Sequence, residues 1–207
     1  MKFDAYEFIA VIIPGALPAL AVALLVPEVA AFLKSDGIDF GGFGVFLIVS
    51  YILGHAVQVV GNGIEKVEGM IGFGMLDMAV RPERRPIDSE QWGRFIIRLN
   101  ECGIGSSEPT NQTWPGIRRE VYARLMAAGQ TERIDMFNRV YGLCRGMVAG
   151  ALSTAGLIFI LGEFTQWKTL TVAIMILALL LYIRMRRFSA HYFKEIVSQF
   201  TSFDSNT

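Results

Sequence analysis

The distribution of charged residues constrains this chain more than any other feature of its sequence. Four stretches contain no Asp, Glu, Lys or Arg, namely residues 8–27, 40–64, 146–162 and 169–183. A helix needs about 20 predominantly apolar residues to cross the roughly 30 Å hydrocarbon core of a bilayer. The sequence therefore predicts an all-α membrane protein with four transmembrane helices in two hairpin-like pairs, and with a small helical cytoplasmic domain inserted between helices two and three.

The domain boundaries follow from the same pattern. Residues 1–64 hold transmembrane helices one and two, and residues 146–187 hold helices three and four. Residues 65–145 alternate apolar residues with charges, which is typical of soluble helices. Residues 188–207 form an amphipathic tail, which either lies on the membrane surface or packs on the central domain.

The basic residues predict the orientation. The chain has 19 basic and 19 acidic residues, so no net charge favours nucleic acid as a partner. Only Lys34 and Lys168 fall in the loops that join spans one to two and three to four. Cytoplasmic segments of membrane proteins are enriched in Lys and Arg. We therefore expect both termini and the central domain to be cytoplasmic.

Local signals in residues 65–145 predict three helices. Asp88 and Gln91 have the spacing of a helix-capping pair. Pro115 suits the first turn of a second helix, which stops at Gly129. Thr131 can cap a third helix, and no breaker separates this helix from the third span.

Span one contains Pro14, Gly15 and Pro18 near its middle. Each proline removes a helical hydrogen bond and crowds the preceding turn. We therefore expect a kinked or broken helix, whose freed carbonyls need neighbouring protein or water because lipid cannot bond them.

Span two carries a row of polar residues on one face. Spacings of four, three, four and three connect its members: Tyr51, His55, Gln58, Asn62 and Glu65. Ionisable groups at membrane depth are functional candidates, so this polar seam can relay protons or line a water path. It can equally form interhelical hydrogen bonds that hold a bundle or an oligomer together. A lone histidine without a second ligand does not indicate a metal site.

Small residues recur every four positions at the start of span three: Gly142, Gly146, Gly150 and Thr154. Such a row lets two membrane helices approach closely. The partner is span two, span four or another subunit. Gly54 and Gly61 of span two offer one facing groove.

The central domain contains five arginines in two short segments: Arg81, Arg84, Arg85, Arg118 and Arg119. These side chains can grip phosphate groups, either of lipid heads or of a nucleotide ligand. Residues 65–145 also contain acidic side chains in nearly equal number, so ion pairs on a solvated surface are the alternative.

No catalytic motif stands out, and we expect a protein that is not an enzyme. His55 and His191 lie far apart, and no nucleophile motif or paired-histidine motif is present. Cys102 and Cys144 are too few for a zinc site and are expected to be free thiols. We therefore predict no catalytic residues, no metal and no cofactor.

The segments 6–8, 13–15, 51–55 and 58–65 carry a resemblance. Tyr-Glu-Phe, Ile-Pro-Gly, Tyr-Ile-Leu-Gly-His and Gln-Val-Val-Gly-Asn-Gly-Ile-Glu are similar to a family of uncharacterised small bacterial membrane proteins. The resemblance covers roughly the first third of the chain and implies a multi-pass protein of the bacterial inner membrane. By layout alone, four spans with a cytoplasmic insert also resemble the membrane effectors of bacterial antiphage systems.

Together these features favour a non-enzymatic, oligomeric pore or channel-type effector that is gated through its cytoplasmic domain. The expected partners are the lipid bilayer, further copies of the chain, and a cytoplasmic protein or small ligand. The alternative is a membrane scaffold that recruits a soluble partner through residues 65–145. A small transporter is a third interpretation. Many transporters are built from internal repeats, however, and spans three and four do not repeat the pattern of spans one and two.

Overall fold

The computed structural model describes residues 5–26, 28–29, 40–72, 74–105, 108–162 and 164–202 of the 207-residue chain. Within these ranges the chain is helical and contains no β-strand. Both chain termini, the loop that contains Lys34, and Glu163 between spans three and four lie outside the described residues.

Seven α-helices and one 3₁₀ turn account for the described fold. Their bounds are α1 Ala5–Leu25, α2 Phe40–Met70, α3 Met75–Val80, the 3₁₀ turn Pro82–Arg84, α4 Ser89–Glu101, α5 Trp114–Ala127, α6 Glu132–Leu161 and α7 Phe164–Ser202. Helices α1, α2, α6 and α7 are long and apolar enough to cross a membrane. The architecture is therefore that of a multi-pass helical membrane protein, in agreement with the four predicted spans.

The chain divides into two compact units. Unit 1 comprises residues 1–64 and 142–185, and unit 2 comprises residues 65–141 and 186–207. The boundaries fall inside α2, α6 and α7, so each of these helices contributes residues to both units.

Unit 2 has a hydrophobic core of its own. Helices α4 and α5 each supply an apolar face to this core. Leu99 of α4 and Leu125 of α5 are completely buried in it. Met78 and Ala79 of α3 and Ile134 of α6 also belong to this core. The last turns of α7 supply five further residues: Tyr192, Phe193, Ile196, Val197 and Phe200. Phe193 stacks on Trp92, with ring centroids 6.1 Å apart. Of the two dispositions left open for the tail, the structure therefore shows packing on the central domain.

The local signals of unit 2 have the expected effects. The Asp88 carboxylate accepts a hydrogen bond of 2.6 Å from the backbone N–H of Gln91 and caps α4. Pro115 lies in the first turn of α5. Gly129 follows that helix with φ of 69°, a left-handed conformation that glycine adopts without strain. Helix α6 then continues unbroken into the third span.

In unit 1, α1 is continuous through both of its prolines. The break that the sequence allowed is therefore not observed, while a kink remains a prediction. Helix α7 exposes a long apolar surface. Its exposed residues include Ile176, Leu179, Leu180 and Ile183. In a membrane protein such a face is suited to lipid.

Candidate functional site on helix α2

The position of α2 in unit 1 is set by a close contact with α1. A Cβ atom at Gly15 would overlap the carbonyl oxygen of Ser50 and the backbone of Gly54. A Cβ atom at Gly54 would in turn overlap the carbonyl oxygen of Val11. The two helices therefore approach backbone to backbone, which only glycine permits here.

Two members of the small-residue row of α6, Gly146 and Gly150, pack against span one, which was not among the partners expected for the row. A Cβ at Gly146 would lie 2.9 Å from the Pro14 Cγ atom, and a Cβ at Gly150 would overlap the Pro14 carbonyl oxygen. Pro18 has no N–H, so that carbonyl has lost its helical donor. The absence of a side chain at Gly150 leaves room for that carbonyl oxygen. Gly142 has no atom within 4 Å of its Cβ position, and Thr154 is buried.

These contacts define an inner face of α2. Its buried residues follow one another at intervals of four, three and four: Ser50, Gly54, Val57 and Gly61. Gly61 faces α6, because a Cβ there would lie 3.7 Å from the Cβ of Ala149. Gly54 and Gly61 therefore do not form one groove for a single helix, because Gly54 contacts α1 and Gly61 contacts α6.

The polar seam lies largely on the outside of unit 1. Tyr51, His55 and Asn62 are exposed, and Gln58 is half-buried. The Tyr51 and His55 rings meet edge to face with centroids 4.7 Å apart. The Tyr51 ring also lies 5.6 Å from the Phe8 ring of α1. Glu65, the last member of the seam, belongs to unit 2 and is half-buried.

The seam therefore presents an imidazole, a phenol and carboxamides at the surface of an apolar helix. Lipid offers these groups no hydrogen-bond partner, and burial of an amide or hydroxyl without one costs roughly 2–7 kcal/mol. In the part of the chain that the structure describes, no three His, Cys, Asp or Glu residues are grouped to hold a metal ion. The chemistry available to the seam is hydrogen bonding to water or to other protein groups.

No family model, no curated protein and no solved structure matches the chain. The seam must therefore be interpreted from its own geometry.

The arginines of unit 2 have different environments. The Arg85 guanidinium lies over the Trp92 ring, 4.1 Å from its centroid, and donates hydrogen bonds to the Ala79 carbonyl and to Glu108. Glu108 also accepts from the indole N–H of Trp92 at 2.9 Å. The Arg85 guanidinium is therefore held at the edge of the hydrophobic core, where it is poorly placed to contact an external phosphate.

The other four arginines are more accessible or differently engaged. Arg81 pairs with the buried Asp77 at 3.1 Å. Arg118 donates to the Met75 sulfur at 3.5 Å. Arg84 and Arg119 are exposed. Lipid or nucleotide phosphate contacts by this group stay a prediction.

Unit 2 also carries an open groove of about 490 Å³ along one face of α5. Three of the residues that line it are glycines, which have no side chain to fill it: Gly103, Gly105 and Gly116. Its far end is formed by Arg124, which pairs with Glu120 at 2.9 Å. The groove has room for a small ligand or a peptide segment, and the sequence analysis did not anticipate it.

Sequence reasoning also missed the apolar neighbours of the seam. Ile48, Ile52 and Val59 are 61–70% exposed on the same side of α2 as His55 and Asn62. The available signal was their spacing of four and seven, which matches the seven-residue repeat of the seam.

Proposed function

We propose that this chain is a non-enzymatic protein of the bacterial inner membrane that assembles into a pore or channel-type effector. The observation that carries the proposal is the outward position of the polar seam. Tyr51, His55 and Asn62 are exposed on unit 1, where their own chain leaves them uncovered.

Two physical requirements support a pore. Polar groups at membrane depth face a protein interior or a water-filled cavity, because lipid cannot bond them. Unit 1 does not enclose these groups, so an assembly of several copies has to do so. A ring of α2 helices around water lets the imidazole and carboxamide groups hydrogen-bond to water and ions, or to the same groups of a neighbouring copy.

Helix continuity supports gating through unit 2. The helices α2, α6 and α7 each contain residues of both units, so the pore helix is covalently continuous with unit 2. The groove on α5 gives unit 2 a place where a signal molecule or peptide can bind. The basic-residue distribution assigns unit 2 and both termini to the cytoplasm. The similarity in layout to antiphage membrane effectors supports a defence role, in which a cytoplasmic signal opens the pore.

The test uses the purified full-length protein in dye-loaded liposomes, together with membrane depolarisation in cells that express it. We expect leakage from the wild-type protein, and we expect His55→Leu and Gln58→Leu to change its rate without reducing membrane insertion. Leu180→Val is the matched control, because Leu180 lies on the exposed apolar face of α7. Correctly inserted protein that causes neither leakage nor depolarisation under any ligand or oligomeric condition refutes the pore.

A scaffold is the second candidate, because unit 2 has a closed core of its own and an open groove. This function predicts that full-length protein captures one stoichiometric soluble partner and leaves membrane permeability unchanged. Gly116→Trp, which fills the groove, should abolish that capture. Leakage that survives Gly116→Trp with no captured partner contradicts the scaffold.

A further inference from the structure

Two stripes with the same spacing run along opposite sides of α2. The outer stripe contains Ile48, Ile52, His55 and Val59, and the inner stripe follows it two residues later at every position. Two residues correspond to about 200° around an α-helix, so the stripes lie on nearly opposite faces. The inner stripe is buried against α1 and α6, and the outer stripe is exposed.

The outer stripe has the alternating three-and-four spacing of a helix-pairing seam. It extends from Val45 through Ile48, Ile52, His55 and Val59 to Asn62, and each of these residues is exposed. This spacing keeps one face of a helix against a supercoiled partner. Four of its six members are β-branched and apolar, namely Val45, Ile48, Ile52 and Val59, so the stripe offers apolar knobs to such a partner.

The polar members of the stripe identify the partner. Neutral imidazole and carboxamide groups each carry both a donor and an acceptor. Each is therefore complementary to an identical group. All copies of a membrane protein insert with one orientation, because the same basic residues direct each of them. Two α2 helices from two copies are then parallel, and His55 lies opposite His55 while Asn62 lies opposite Asn62.

The exposed face of α7 provides the contrast. Ile176, Leu179, Leu180 and Ile183 are as exposed as the outer stripe, but residues 169–183 contain no His, Asn or Gln. Lipid can cover that face at no polar cost. Of these two exposed faces, the α2 stripe is the one that combines apolar knobs with polar groups that lipid cannot hydrogen-bond.

We propose that the outer stripe of α2 is the self-association interface, and that it pairs in parallel with the same stripe of a second copy of this chain. The inference rests on the proposed function for the presence of an oligomer, and it adds the interface, the register and the direction of pairing. His55 and Asn62 fix the register, as single polar residues do in helix seams.

Disulfide cross-linking in native membranes tests the pairing. In full-length protein that lacks both native cysteines (Cys102→Ser and Cys144→Ala), single cysteines are introduced at Ile48, Ile52 or Val59 and membranes are oxidised. Two cysteines cross-link only when their Cβ atoms come within about 4.5 Å. We expect dimer-sized products at these positions and none from Val57→Cys on the inner stripe or Leu180→Cys on α7.

Two outcomes overturn the proposal: equal cross-linking of Leu180→Cys, or no cross-linking at any of the three outer positions. Light scattering of the unaltered protein in mild detergent is the second measurement and needs no variant. We expect a mass that is a multiple of the chain mass, whereas a single-chain mass overturns the pairing. Cross-links without leakage refute the pore and leave the interface. Leakage without cross-links at the outer stripe refutes the interface and leaves the pore.

Discussion

The contact between α1 and α6 allows a sharp prediction for Gly150→Ala. The new Cβ falls on the Pro14 carbonyl oxygen and lies 3.2 Å from the Pro14 carbonyl carbon. These are backbone atoms inside a helix, so no rotamer change relieves the overlap. The two helices must separate, and such overpacking costs typically 1–3 kcal/mol.

Gly156→Ala on the same helix is the matched control. Its Cβ position has no neighbouring atom within 4 Å. Alanine is favoured over glycine in a helix by roughly 0.5–1 kcal/mol, and this gain applies to both variants. Helix propensity therefore cancels in the comparison, and the difference in stability measures the clash at Pro14 alone.

Thiol labelling of Cys144 reports the outcome. Cys144 is a free, buried thiol on α6 in unit 1, and Cys102→Ser leaves it as the single cysteine. When opening is fast, the labelling rate follows the population of the open state. A loss of 1–3 kcal/mol then speeds labelling by about 5- to 150-fold, because each 1.4 kcal/mol is a factor of ten. Equal labelling rates in Gly150→Ala and Gly156→Ala would refute the close α1–α6 contact.

The remaining predictions concern unit 2. Asp88→Ala removes the cap of α4 and should lower the free energy of unfolding by about 1 kcal/mol in a denaturant titration, whereas Glu90→Ala on the exposed surface should change it little. Glu108→Ala leaves the indole N–H of the buried Trp92 without its acceptor, which should cost about 1–3 kcal/mol and be visible in tryptophan fluorescence; an unchanged midpoint contradicts the network. The hydrogen bond that Tyr122 donates to Asp135 raises the pKa of Tyr122 to about 12. Because the folded-state pKa lies above the unfolded value near 10, this stabilisation is complete below pH 10 and is lost as the pH rises through 12. Ultraviolet titration against Tyr122→Phe checks it, and Asp135→Asn should return the pKa toward 10.

Predictions from the sequence succeeded where the physical cause is local. A charge-free stretch of sufficient length must be an apolar helix, because backbone groups in lipid are bonded within the helix. All four predicted spans correspond to helices of that kind. The Asp88 cap and the Gly129 terminus depend only on neighbouring residues, and both are observed.

The packing partner of Gly146 and Gly150 was beyond sequence reasoning for a physical reason. A row of small residues indicates that another helix approaches closely, but it does not indicate which helix. The partner is selected by the prolines of α1, since Pro18 frees the Pro14 carbonyl and a glycine without a side chain leaves room for it. The proline signal and the glycine signal were both visible in the sequence and belong to one contact.

The sequence could not predict which side of α2 is exposed, for a different reason. The spacing places Tyr51, His55, Gln58 and Asn62 on one face of α2, and the same spacing describes Ser50, Gly54, Val57 and Gly61 one position earlier, about 100° around the helix. Periodicity alone cannot tell the buried side from the exposed one. Residue size decides it here, because glycines at 54 and 61 allow α1 and α6 to approach, whereas β-branched residues at 52 and 59 keep a neighbour at side-chain distance. In α2 the small-residue stripe is used within the chain, and we propose that the bulkier stripe with polar members meets a second copy.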